Sequence, residues 1–221
     1  MKDKFEQQDE VHELKNYFAQ ADIVVLVETH HGTHFETIAK FFDQFLPQIN
    51  GVFFEIPVTY QSSFDLYFET GEVDEKLENF FRGAEAEGKN IRSLLTLLDK
   101  IKDSGKKAIC IDSSKIPTDE YTHPSPNGSY FLRGTSRDED MFENIRKQSI
   151  SYPGKYLSIV GAAHAKKGKH HNSGDDTLGT RLAQSFSSKY TSVLIGTQKA
   201  VAEEQPDDYG DVIIDKRVES N

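Results

Sequence analysis

The chain has 221 residues, with 36 acidic side chains against 26 lysines and arginines, giving a net charge of −10 and a pI near 5.3. That length suits one well-buried domain, and the acidic balance argues against unaided binding to nucleic acid or an anionic membrane, both of which attract basic proteins. A small-molecule or peptide partner is expected instead.

No apolar run approaches the roughly 18 residues that span a bilayer, and Met1-Lys2-Asp3-Lys4-Phe5-Glu6 lacks a signal peptide's apolar stretch, so a cytoplasmic location is expected. Cys110 is the single cysteine, which rules out an internal disulfide or a multi-cysteine zinc site. Within Ala108-Ile109-Cys110-Ile111 it reads as a buried structural thiol.

In chain order, a polar helix is predicted from Asp9 to Gln20, with Val11, Leu14, Tyr17 and Phe18 on one face. Ile23-Val24-Val25-Leu26-Val27 then reads as a buried strand, and polarity switches abruptly at Glu28-Thr29-His30-His31. Thr33-x-x-Glu36 has a capping-box pattern and opens a helix through Phe35, Ile38, Phe42, Phe45 and Leu46, ended or kinked at Pro47. The helix N-terminus beside His31 favours a developing anion.

Val52 to Ile56 reads as a second strand, stopped by Pro57, with Glu55 near its end. Residues 57–90 are acidic, aromatic and weakly helical, and are expected to cover the site. Asn90 to Asp103 is a clear amphipathic helix through Ile91, Leu94, Leu95, Leu98 and Ile101, followed by a strand from Lys107 to Asp112. Residues 113–135, rich in proline and turn residues, read as a long loop or lid.

Ser136 is placed to cap a helix through Met141 and Ile145, with Asp138 and Glu139 in its first turn. Tyr156 to Gly161 reads as a strand ending in Ala162-Ala163-His164, followed by a basic loop, Lys166 to Gly174, in which His170 and His171 are expected to be solvated, the alternative being an adventitious or haem-contacting pair. A helix from Asp175 with Leu178, Leu182 and Phe186 inward, a strand over Thr191–Gly196, and a C-terminal extension over 200–221 with an edge strand at Asp211–Asp215 complete the chain. Alternating helices and apolar strands imply a single α/β domain: a mostly parallel sheet of about five strands, flanked by helices.

In a parallel sheet the strand ends bearing Glu28 and His31, Glu55, and His164 share one edge, where α/β enzymes place their ligands. There is no Gly-x-Ser-x-Gly elbow and no exposed cysteine, so an activated water is preferred to a covalent nucleophile. His31 suits a general base, since imidazole titrates at about 6.5. The set Glu28, His31, Glu55 and His164 also suits a divalent ion such as Zn²⁺ or Mn²⁺, although the water-activating reading requires no cofactor. His30 and His34 flank His31 as distractors or helpers; not all three can face one pocket, and His30 is read as structural. Glu36 is assigned to the helix cap and Glu69–Glu78 to a solvated face.

Val27-Glu28-Thr29-His30-His31-Gly32-Thr33 resembles the Gly-Glu-x-x-His-Gly-Thr signature of erythromycin-esterase-like proteins, in a superfamily that includes ChaN-like haem-binding and TraB/Tiki proteins. Phe53-Phe54-Glu55, Arg137-Asp138-x-x-Met141-x-x-Asn144-Ile145, Val160-Gly161-Ala162-Ala163-His164 and Leu178-Gly179-x-x-Leu182 resemble later segments of that family, in order. The resemblance implies a hydrolase in which His31 activates water and Glu28 and Glu55 are pocket carboxylates. It makes His164 a second imidazole and has Arg137 orient the pocket or stabilise an anion. The ChaN-like branch implies haem or metal binding without turnover, and the TraB/Tiki branch a metal-dependent peptidase. Val27 departs from the signature glycine, and the chain lacks much of the helical elaboration that shapes a macrolide cleft.

Overall fold

Strand β1, Ile23–Glu28, carries five aliphatic side chains, none more than 1% exposed. Branched residues suit a pleated surface covered on both faces, and each such burial contributes about 1.5–3 kcal/mol. The computed structural model describes residues 16–28, 35, 38–39, 42–86, 89–114, 122–124, 130–132, 134–170, 174–196 and 211–214.

Around β1 lie β2 (Gly51–Pro57), β3 (Lys107–Asp112), β6 (Tyr156–Gly161), β7 (Tyr190–Gly196) and β8 (Asp211–Ile214). Their order is β3-β2-β6-β1-β7-β8, and every neighbouring pair is parallel. The expected parallel sheet is therefore present, with the C-terminal strand as its sixth member, at one edge. β6 lies between β1 and β2, with Glu28 opposite Gly161, while β2 and β3 bring Pro57 opposite Asp112 across a register shift.

The two faces of the sheet take alternate residues, as the period-two pleat requires. Val24, Leu26, Phe54 and Ile159 pack on one side, beneath α1 (Gln61–Thr70), α2 (Glu75–Ala86) and α3 (Ile91–Asp103), which contribute Phe64, Leu77, Leu94, Leu98 and Ile101. Val25, Val27, Phe53 and Val160 pack on the other, against Met141 and Ile145 of α4 (Gly134–Ser151) and Leu178 and Leu182 of α6 (Leu178–Phe186). Cys110 is 3% exposed, and burial, reinforced by the Asp65 charge, pushes its thiol up to about 12, which leaves it inert as a nucleophile.

Several boundaries differ from the sequence reading. The run after β1 is helical at residues 35 and 38–39 but tightens into 3₁₀ turns at Phe42–Gln44 and Leu46–Gln48, with Pro47 inside the second. Residues 113–135 are not loop throughout, because Thr122–Pro124 (β4) and Tyr130–Leu132 (β5) pair antiparallel. Asn127-Gly128, a turn-forming pair, lies between the two strands in sequence. Helix α4 begins at Gly134, ahead of Ser136, and α6 is capped by Thr177, whose Oγ1 accepts from Thr180 N–H at 3.2 Å. Asn90 caps α3, its Oδ1 accepting from Ser93 N–H at 3.1 Å. Of the first predicted helix, residues 16–20 are helical and 9–15 lie outside the described residues. Among the described residues no helix is long and apolar enough to cross a membrane.

Candidate active site

The parallel sheet delivers four strand ends to one edge, and Arg137 from the first turn of α4 reaches groups at three of them, those of β2, β3 and β6. Its Nε and Nη2 donate to Asp112 Oδ1 and Oδ2, each at 2.7 Å, in a two-pronged pair that matches the planar guanidinium to the planar carboxylate. Nη2 also donates to Glu55 Oε1 at 2.6 Å, and Nη1 reaches His164 Nε2 at 3.2 Å. Glu55 is held from the other side, its Oε2 accepting from Gly161 N–H at 2.6 Å. Burial opposes the charge on Arg137, but Glu55 and Asp112 outweigh it and raise its pKa, so the guanidinium is permanently charged.

His164 sits on the one-turn helix α5 (Ala162–Ala165) directly after β6. Its Nδ1 is bonded to Asp138 Oδ1, and its Nε2 lies 3.6 Å from Glu55 Oε1. Asp138 is wholly buried, and its other oxygen is bonded to His170 Nε2. Two imidazoles therefore share one buried carboxylate. Burial pushes the Asp138 carboxyl up, but the bonds from His164 and His170 dominate and hold it below the usual carboxylate range. For His164 burial opposes protonation as well, yet the Glu55 and Asp138 charges prevail over burial and Arg137 repulsion, raising its pKa above the ordinary imidazole value.

An ionised Asp138 fixes the His164 tautomer, with Nδ1 donating to it and Nε2 left as the working nitrogen. Nε2 faces both a donor and an acceptor. Without a proton it accepts from Arg137, and with one it is attracted to Glu55. That arrangement suits a group that gives and takes a proton in turn.

Of the residues singled out from sequence, the structure brings Glu55, Arg137 and His164 together. Glu28 ends β1 at the same sheet edge. His31, with Thr29, His30 and His34, lies outside the described residues. Three cluster members were not picked out. Asp112 ends its apolar strand as Glu55 nearly ends its own, and that position was its signal. Asp138 stands beside Arg137 in a recognised pair but reads in sequence only as a first-turn acid.

His170 is a correction. The basic loop expected to leave it solvated is folded back, so its side chain is 15% exposed and engaged with Asp138. His170 N–H donates to Asp175 O at 2.8 Å, and Thr177 Oγ1 and Thr180 Oγ1 donate to the Lys166 and Gly168 carbonyls at 2.6 and 2.7 Å. These hydroxyls anchor the loop, and loop polarity alone does not show them.

The donor set Asp138, His164 and His170 fits a divalent ion, its ligand atoms lying within 4.8 Å of one another. Haem suits these residues less well, because both imidazoles are largely buried, His164 12% and His170 15% exposed, with little open face for a porphyrin.

No family model matches the chain, and no curated protein matches it in sequence. Solved structures do. A mutant of the erythromycin esterase EreC in its open conformation aligns with TM-score 0.61 at 12% identity over 84% of this chain and 72% of its own. ChaN of Campylobacter jejuni, with cofacially bound haem, aligns with TM-score 0.52 at 15% identity over 94% and 91%. RRSP, a MARTX toxin effector domain from Vibrio vulnificus, aligns with TM-score 0.55 at 14% identity over 90% of this chain, which spans about a third, 36%, of that protein. The fold is thus shared by an esterase, a haem-binding protein and a toxin effector, and the chain has the erythromycin-esterase/ChaN-like α/β fold.

Proposed function

We propose that this protein is a hydrolase that directs a histidine-activated water at an ester, lactone or amide of a small molecule or peptide. One observation carries the reading: His164 Nε2 stands between the Arg137 guanidinium and the Glu55 carboxylate while its Nδ1 is anchored on buried Asp138. His31, three residues beyond Glu28, is the base that the family resemblance implies. It removes a proton from water as the water oxygen bonds to the carbonyl carbon. Collapse of the tetrahedral intermediate breaks the C–O or C–N bond as protonated His164 gives its Nε2 proton to the leaving oxygen or nitrogen. His164 then accepts the Arg137 hydrogen bond until it is reprotonated. The raised pKa of His164 supports the acid role, since it keeps more of the imidazole protonated near neutral pH.

Arg137 acts by orienting this pocket. Its donors are engaged with Asp112, Glu55 and His164, so it serves those groups in preference to an oxyanion.

A panel of alkyl and aryl esters, lactones and amides tests the reading. Turnover of at least one class is expected, with His31→Ala and Glu55→Gln each lowering kcat/KM by about 10²-fold or more. Failure of the whole panel, or a turned-over substrate indifferent to His31→Ala, overturns it. Added haemin is expected to give no Soret shift that depends on His164, and a His164-dependent shift without turnover would favour the binding alternative.

A further inference from the structure

We infer that Asp138, His164 and His170 form a binding site for one borderline divalent cation, Zn²⁺ or its spectroscopic substitute Co²⁺. The set shares only His164 with the strand-end residues Glu28, His31, Glu55 and His164, and it depends on His170, which belongs to the folded-back loop. Two imidazole nitrogens and a carboxylate are the protein ligands typical of an open zinc site, leaving a fourth position for water.

Three features of the structure point to a cation. Asp138 is wholly buried, where a carboxylate is held by paired groups or by a metal ion. Arg137 makes no hydrogen bond to it, its donors going to Asp112, Glu55 and His164. The two groups that do address Asp138, His164 Nδ1 and His170 Nε2, are both metal-ligating atoms aimed at the same carboxylate from opposite oxygens.

The geometry needs side-chain adjustment only. A tetrahedral zinc holds its ligand atoms roughly 3.3 Å apart, and here all three lie within 4.8 Å of one another. The backbone on both sides is fixed, by β6 for His164 and by the Thr177 and Thr180 hydroxyls for the His170 loop. His164 Nε2 lies 3.2 Å from Arg137 Nη1 and 3.6 Å from Glu55 Oε1, so a carboxylate of the kind that commonly receives a ligating imidazole's second N–H is close by.

Metal-stripped full-length protein titrated with Co²⁺, and with Zn²⁺ in calorimetry, tests the site without reference to hydrolysis. One ion per chain is expected, with the visible absorption of four- or five-coordinate Co²⁺ bearing nitrogen ligands. His170→Gln keeps a hydrogen-bond donor for Asp138 but removes the imidazole. It is expected to weaken binding at least tenfold while melting as the wild type does. His170→Ala serves as the second variant and is expected to show the same loss. Absence of binding, affinity unchanged in both variants, or loss on His171→Ala in place of His170 overturns the inference. Coordination of His164 Nδ1 removes the imidazolium that the leaving group needs, so the ion-bound form is distinct from the hydrolytic one; failure here leaves the hydrolase reading standing, and failure of the ester panel leaves this site standing.

Discussion

At the scale of single residues, the site is a contest between burial and charge. Two carboxylates, Glu55 and Asp112, pair with one guanidinium, and the fully buried Asp138 pairs with two imidazoles. Burial works against the charges on Arg137, Asp138 and His164, and direct pairing outweighs it. The consequence for stability follows from the directions of the shifts. His164 has a raised pKa in the fold, so its contribution is present in full below its unfolded value of about 6.5 and is lost as pH rises through the folded one. Asp138 has a lowered pKa, so its contribution is present above about 3.9 and is lost as pH falls through the folded value. The melting-temperature difference between wild type and Asp138→Asn is therefore expected to be greatest between about pH 4 and pH 6.5 and to shrink on both sides. A difference that stays flat from pH 3 to pH 9 would show that the carboxylate and imidazole charges are not coupled.

At the scale of elements, one glycine joins two of the site's supports. A Cβ added at Gly179, in the first turn of α6, would meet the Ala165 carbonyl oxygen at 2.1 Å and that of Lys166 at 2.6 Å. The absence of a side chain lets α6 press directly against the end of α5, one residue beyond His164. Gly179→Ala forces the two apart in a packed interior, and overpacking of this kind costs typically about 1–3 kcal/mol. Reduced thermal stability is expected, together with a loss of hydrolysis larger than the unfolded fraction explains. A variant with wild-type stability and activity would mean that α5 tolerates the shift. The same contact gives the Leu178-Gly179-x-x-Leu182 pattern a physical meaning, with two leucines facing the core and the glycine between them allowing close approach.

At the scale of the whole molecule, the sheet was legible because its signals are local. β-branched runs alternating with amphipathic helices predict a parallel α/β arrangement, and the parallel arrangement in turn aligns Glu28, Glu55 and His164 on one edge. What stayed hidden was made by contacts distant in sequence. Asp112 and Glu55 meet through an arginine 25 and 82 residues further on, and His170 reaches Asp138 across 32 residues through a loop whose composition alone indicates solvent. Charge-rich sequence does not reveal which charges are paired. The tightening of the helix after β1 into 3₁₀ turns was likewise invisible in its apolar spacing, since spacings of three and four serve either geometry.

The claim on which the account turns is that His164 supplies the leaving-group proton, and a leaving-group comparison tests it most directly. An alkyl ester needs that proton, whereas a p-nitrophenyl ester of the same acyl group departs as a stable anion without it. For His164→Gln, kcat/KM is predicted to fall by about 10²–10⁴-fold on the alkyl ester and by no more than about tenfold on the p-nitrophenyl ester. Equal losses on the two esters, or no loss on either, would contradict it.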